Sequence, residues 1–486
     1  MLVAICFATV LLVCQLCTAA SLAHAVAAVD ERMGRNVEFG LAYDEGDMEA
    51  EIAVEAGEAD LKSCSDPYQL PLPASPQAVA KMPPSPCVAV VLPWQSGGLR
   101  QDAEVFERAL PCAHTLYGDS QPPPNASRDE RLLFLEHLPS EHLRYKKGWS
   151  NLTASAEVWS MVNMEWVSLL HLKLPTVSLI LCKTRIVCEL LSAIRHERNL
   201  SWRLLYTRFS SVDRFGVATL ASCETTTMSA ACQRAPLWTN PSMVGMPTAQ
   251  PAAPRRALTM AGIARARPQQ DFGQFLHVMG KSAAKHTAEI IQAWRENLHF
   301  PNLTIVASRS IPSVQKWMRK APPHIRLELD ISTEELTALQ ASHGVHLCPS
   351  AREGYGHYIN EGRAAAAFVV TTPTPPMSEL VDDASGMLIT ARTAKPPLHG
   401  NLIALPFDDS AVSPADISAA VHRVLALPVE ERRRRGRRAR ARYEEDTAFF
   451  LESARRLDCT SRLALADGHA NSSLDARATA CGLCLI

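Results

Sequence analysis

The sequence predicts an α/β chain built as two doubly wound domains that face each other across a cleft. Three observations predict it. Short apolar runs such as CVAVVLPW and NLTIVAS alternate with stretches of helical spacing, as parallel strands covered on both faces do. The alternation occurs in two series, separated by a long span without periodicity. The length of 486 residues suffices for two or three domains, each with its own core.

Taken in order, residues 1–29 carry no Asp, Glu, Lys or Arg and open on an apolar run followed by small residues. This reads as a secretory signal peptide, and the run is also long enough to stay as a membrane anchor. Five of the eleven Asn residues stand in glycosylation sequons (Asn125, Asn151, Asn199, Asn302 and Asn471), where chance would place about one or two. The expected location is therefore the secretory pathway, in the ER or Golgi lumen or outside the cell. Residues 30–86, acidic and then Pro-rich, read as a stem or linker.

Residues 87–216 form the expected N-terminal domain. Its first strand ends in a Gln95-Ser96-Gly97-Gly98 loop, with helical spacing from Asp102 to Leu110. A strand at 176–182, a helix from Arg185 to His196 and a strand at 202–207 follow. Residues 217–270 read as an interdomain linker or insertion. Residues 271–457 form the cleaner second series. In it QFLHVMG leads into a helix from Ala283 to Trp294, and HIRLELD, GVHLCPS and FVVTT are further strands. Helices from Pro414 and from Pro428 close it, and residues 458–486 are a tail.

Composition excludes some classes. With 47% hydrophobic and 20% charged residues the profile is globular. A formal charge of −1 creates no global field for a polyanion, so no nucleic-acid partner is expected. The eight arginines between Arg432 and Arg442 are flanked by Glu430, Glu431, Glu444 and Glu445, which reads as a solvated helix with internal ion pairs. The Cys481–Cys484 CxxC has no second pair nearby, so zinc is not expected. Gly280-Lys281-Ser282 is not a P-loop, because Phe275 stands where that motif requires Gly.

The chemistry concentrates in HLCPSAREGYGHYINEGRAAAAFVVTT. Glu353 follows a strand, and Glu361 comes eight residues later in the first turn of the next expected helix. Gly354 and Gly356 let the backbone approach a ligand, and a helix start near His357 offers N–H groups to oxygens. Two carboxylates at such a mouth can accept hydrogen bonds from a vicinal diol. Upstream, the strand QFLHVMG ends at Gly280, followed by Lys281, Ser282 and, a few positions on, Lys285.

The Glu353-x7-Glu361 pair with its EGYG core resembles the signature of the retaining GT-B glycosyltransferases of family 4 (glycosyl transferases group 1). FVVTTPTPPMSELV is similar to that family's downstream stretch, with Glu379 in the matching place. The resemblance implies two Rossmann-like domains of the GT-B type and transfer of a sugar, with retention, from a UDP- or GDP-sugar. The acceptor would be an unidentified carbohydrate, lipid or protein. It assigns Glu353 to the donor sugar, Glu361 to the ribose, and Lys281 and Lys285 to the leaving diphosphate. Gly280, Ser282, Gly354, Tyr355 and Gly356 would line the donor site, and Gly97-Gly98 would face the diphosphate from the other domain. No metal or other cofactor is expected. A catalytically silent sugar- or nucleotide-binding protein on the same fold is the alternative. VNMEW, CKTR and YTRFSSVD look like segments of one branch of these enzymes, without an assigned chemistry.

Overall fold

The computed structural model describes residue 68 and residues 88–92, 97–110, 112–117, 131–136, 157–163, 177–215, 270–394 apart from 283 and 320, 409–466 and 473–486. The expected leader, nearly all of the stem, the linker up to residue 269, and Asn125, Asn151 and Asn471 lie outside the described residues.

Two six-stranded sheets dominate the described residues, and every strand pair in both is parallel. The first contains β1 (Val88–Leu92), β2 (Ala113–Tyr117), β3 (Arg131–Glu136), β4 (Glu157–Val162), β5 (Val177–Cys182) and β6 (Arg203–Tyr206), in the order β2-β1-β3-β4-β5-β6. All five residues of β1 are buried, as a central strand covered on both faces requires. Helix α1 (Gly97–Ala109) follows β1, and α2 (Arg185–Arg198) joins β5 to β6. Gly97 and Gly98, expected in a loop, are the first residues of α1, so the helix starts five residues earlier than its apolar spacing shows. β2, β3 and β4 carry no clear signal in the sequence. β2, AHTLY, is short and mixed in polarity, β3 begins and ends on a charged residue, and β4 begins on one.

The second sheet contains β7 (Asp271–Gly280), β8 (Leu303–Ala307), β9 (Ile325–Leu329), β10 (His343–Cys348), β11 (Phe368–Thr371) and β12 (Gly386–Leu388), in the order β12-β11-β10-β7-β8-β9. Helices α3 (Thr287–Glu296), α4 (Pro312–Met318), α5 (Thr333–Ser342), α6 (His357–Ala364) and the four-residue α7 (Met377–Leu380) connect its strands. A small antiparallel pair, β13 (Arg392–Ala394) and β14 (Asp409–Ala411), precedes α8 (Pro414–Ala426). Ser332 with Glu335 at α5, and Ser413 with Asp416 at α8, form capping boxes that satisfy the free N–H groups of each first turn.

The two sheets make this an α/β fold of two doubly wound, Rossmann-like halves, the GT-B arrangement. One apolar cluster takes residues from both halves, including Leu99, Phe106 and Phe209 with Tyr355, Tyr358 and Leu380. A second fills the other face of the second sheet around Phe275, Trp294 and Ile417. A third lies on the first sheet around Phe134, Ile180 and Trp202.

The long α9 (Val429–Ala466) ties the halves together. At its start Arg432 donates to the Phe272 carbonyl, and further along Phe450, Ala454 and Leu457 enter the shared cluster. Its arginines do pair with neighbouring acids, Arg433 with Glu430 and both Arg434 and Arg435 with Glu431. Others clamp the fold: Arg440 pairs with Asp213, and Arg442 with Asp382. Residues read as a tail continue this structure. α10 (Leu474–Ala480) follows, the Cys459–Cys481 disulfide joins it to α9, and Ile486 exchanges two backbone hydrogen bonds with Leu204 of β6.

Candidate active site

In the second sheet, β7 lies between β8 and β10, so the winding direction reverses between β7 and β10. Loops leaving the carboxyl ends of such a strand pair diverge and open a crevice, where ligands of doubly wound folds bind. The two loops here are 281–286 after β7 and 349–356 after β10. They hold Lys281, Ser282 and Lys285 on one side and Glu353, Gly354, Tyr355 and Gly356 on the other.

The β7 loop differs from its expected helical form. His286 adopts a left-handed backbone (φ 47°) and α3 begins only at Thr287. The Ser282 hydroxyl accepts from the Ala284 N–H, a local bond that competes with helix formation. Gly280, with φ 59°, makes the turn out of β7. The loops are bonded to each other, since the Ala351 N–H donates to the Ala284 carbonyl at 2.8 Å. His286 further ties the first loop to β14 by donating to the Ser410 carbonyl at 2.9 Å.

The expected site residues have distinct surroundings. Lys285 sits over the ring of Tyr358, 3.5 Å from its centroid. Glu353 accepts from the Ser350 hydroxyl at 2.7 Å. Glu361 lies in the second turn of α6 rather than its first, and is buried. Its carboxylate accepts from Gln101 Nε2 at 3.0 Å and from Gln340 Nε2 at 2.7 Å. Lys285, Glu353 and Glu361 surround Cys348 at the end of β10: burial pushes that thiol up, Lys285 opposes the rise and the two carboxylates add to it. Lys281 stands apart, exposed and in the field of Asp330 beyond β9.

The first sheet closes over these loops. A Cβ on Gly354 would come 2.6 Å from Asn163 Cγ, so only glycine permits this approach. Gly98 faces His357, 3.7 Å separating its would-be Cβ from the ring. Tyr355 is buried and donates to the Phe209 carbonyl, while its ring meets that of Phe209 edge-on at 5.1 Å. Glu379 accepts the N–H groups of Arg185 (2.7 Å) and Ile186 (2.9 Å), so a carboxylate from the second half occupies the N-terminus of α2 in the first.

At the centre of the seam is a buried ionic group that motif reading does not find. Asp102 of α1 is 1% exposed. It accepts from Lys183 Nζ and from His357 Nε2, both at 2.7 Å, and Lys183 also donates to Asn163 Oδ1 at 3.0 Å. Burial pushes the Asp102 carboxyl up, but Lys183 and His357 outweigh it and hold the group below its ordinary range. The signal was in the sequence without a target. VNMEW supplies Asn163, CKTR supplies Lys183 and YTRFSSVD supplies Phe209, and all three segments converge on Gly354, Tyr355 and His357.

No family profile matches this sequence, and no curated protein matches it. Solved structures do share features of its fold. HepE from Anabaena, in complex with UDP and glucose, superposes with a TM-score of 0.48 at 10% identity, covering 76% of this chain and 99% of that one. The pneumococcal O-GlcNAc transferase GtfA, in complex with UDP and GlcNAc, gives 0.44 at 11%, covering 69% and 57%. The α,α-trehalose-6-phosphate synthase of Burkholderia multivorans gives 0.43 at 12%, covering 71% and 74%. The match spans just over half of GtfA's length, and likenesses this distant name no activity for this chain.

Proposed function

We propose that this protein is a glycosyltransferase that moves a sugar, with retention, from a nucleotide-diphosphate sugar to an acceptor. One observation carries the reading. The two loops holding Lys285 and Glu353 leave the adjacent strands β7 and β10 at the switch point and are bonded to each other, and the second leads into α6, whose first residue His357 faces Gly98 of α1. In this reading Glu361 holds the ribose and Glu353 orients the sugar ring. Lys285, with Lys281 at the rim, stabilises the departing diphosphate. Gly98, Asn163 and His357 make the wall where the halves meet, and closure there excludes water that would hydrolyse the donor. The donor is a UDP- or GDP-sugar, the acceptor is a carbohydrate, lipid or protein, and no metal takes part. The five sequons and the disulfides Cys182–Cys188 and Cys459–Cys481 support passage through the secretory lumen, with the leader as signal or membrane anchor.

The test is a donor screen on the purified chain, following release of UDP or GDP. Turnover that disappears in Glu353→Ala and Lys285→Ala, with nucleotide-sugar affinity about 10- to 100-fold weaker in Glu361→Ala, is the expected result. Binding without turnover across a broad acceptor panel would make the protein a silent binder. No binding of any donor would remove the reading altogether.

A further inference from the structure

The surroundings of Glu361 contain acceptors with nothing to accept. A carboxylate cannot donate, so the two glutamine amides that meet it must present their Nε2 groups, as they do at 3.0 Å (Gln101) and 2.7 Å (Gln340). That contact fixes both amide orientations and turns each Oε1 away from the carboxylate. Both Oε1 atoms are buried and have no hydrogen-bond partner. His357 Nδ1, one turn earlier on α6, is likewise buried and without a partner.

Buried acceptors without donors are unfavourable in the free protein and are relieved by a ligand that brings O–H groups. A phosphate or carboxylate would add further acceptors and be repelled. A vicinal diol brings two donors side by side, one for each Oε1 atom.

We propose that Gln101 and Gln340 read the ribose of the donor: held in place by Glu361 through their Nε2 groups, they offer their Oε1 atoms as acceptors to the 2′- and 3′-hydroxyls of a ribonucleoside diphosphate. This rests on the reading of Glu361 as the ribose-holding residue. Gln101 belongs to α1 and Gln340 to α5, so the pair of acceptors is complete only when the two halves meet. Ribose recognition is thereby coupled to closure. Gln340 is fully buried and Gln101 half-buried, so the second can be replaced with less disturbance of the core.

The experiment compares UDP and GDP with their 2′-deoxy and 3′-deoxy counterparts, by calorimetric titration of the full chain and of Gln101→Leu and Gln340→Leu. Wild type should prefer the ribonucleotide by about tenfold or more, because a site built to bond a hydroxyl rejects the analogue lacking it. Each variant should lose most of that preference while binding the deoxy ligand as wild type does. A purely structural role would weaken ribo and deoxy ligands alike, and that result overturns the inference, as does a preference that survives both substitutions. If Gln340→Leu does not fold, the Gln101→Leu comparison decides alone. Wild type that binds no nucleotide would instead overturn the donor-site reading beneath it.

Discussion

The two halves build their sides of the seam in opposite ways. The second sheet offers two loops from adjacent strands, 281–286 and 349–356, with α6 directly after the second. The first sheet gathers its side from four places: Gln101 and Asp102 on α1, Asn163 after β4, Lys183 after β5 and Phe209 after β6. The contrast extends to energetics. The loops of the second half are held by hydrogen bonds, several of them to backbone, and by one partly exposed ion pair, Arg352–Asp409. The first half places a carboxylate and an ammonium, each 2% exposed in its side chain, at the contact. Substitutions on the loop side should therefore act on ligands, and substitutions on the ionic side should act on the fold.

The largest expected effect tests the ionic side. Asp102→Ala removes the anion between Lys183 and His357 and leaves a buried ammonium with no counter-charge, held by Asn163 and the faces of Phe209 and Tyr355. Breaking a buried pair by deleting one member costs about 3–5 kcal/mol. Urea unfolding of the variant should show a loss of that size, whereas Glu353→Ala, on the loop side, should stay within about 1 kcal/mol of wild type. Equal losses in the two would abolish the distinction between the halves.

Acid should act next, and from the other half. His277 is fully buried in the second sheet, where burial pushes it down to about 4. Its Nδ1–H donates to the Leu347 carbonyl and its Nε2 accepts from the Thr287 hydroxyl, an arrangement only the neutral ring can make. His346, also buried, is pushed down to about 3. Between pH 6.5 and about 4 the unfolded chain takes up a proton at His277 that the folded chain refuses, so stability falls as pH falls. His277 alone contributes on the order of 3 kcal/mol over that window. Asp102 acts in the same direction lower down. Its depressed carboxyl stabilises the fold above the ordinary value of 3.8 and loses that contribution as pH drops through the folded one. Urea midpoints measured from pH 7 to pH 4 should decline steadily, and a flat profile would contradict the neutral burial of His277.

A smaller effect tests the helix that joins the halves. A Cβ on Gly436 would lie 2.2 Å from the Ala366 carbonyl oxygen, so α9 rests backbone to backbone on the turn after α6. Gly436→Ala gains helix propensity and still has to push the helix off that turn, a net cost of about 1–3 kcal/mol. The displacement should also loosen the Arg440–Asp213 clamp a turn further on, which amide exchange around residues 210–213 would report. Protection unchanged there would mean that α9 holds the first half independently of its seat on the second.

The same contrast explains what the sequence discloses. The second sheet was legible because most of its strands are short segments centred on apolar residues with a helix close behind, and α5 runs over the expected Thr333–Ser342. Its candidate residues were legible because the switch point joins loops that carry a compact motif. Lys285 was misplaced into a helix because Ala283–Trp294 has helical spacing, while the left-handed His286 that delays the helix has no apolar signature. β2 to β4 were not legible, since β2 is a half-buried edge strand and the burial of β3 and β4 comes from neighbours distant in the chain. Asp102, Lys183 and His357 could not be grouped for the same reason: 81 residues separate the first two and 255 separate Asp102 from His357. Their pairing exists only after two sheets have folded and met.

The smallest expected effect lies at Glu379, which crosses the seam in the reverse sense. Its carboxylate caps α2 with two N–H bonds where Thr184, the residue at the cap position, makes no side-chain cap. A lost cap costs about 1 kcal/mol. Burial nevertheless pushes this carboxyl above its ordinary range despite both bonds, so desolvation offsets much of what the cap contributes. Glu379→Ala should therefore lose about 1 kcal/mol or less in urea at neutral pH, with the loss growing toward acid, because the folded carboxyl takes up its proton more readily than the unfolded one. Glu379→Gln should fare no better than Ala, because one of its two terminal atoms would turn an amide N–H toward the N–H of Arg185 or Ile186. A glutamine variant as stable as wild type would show that one accepted bond suffices at the helix end. The carboxylate's charge would then play no part in holding the halves together.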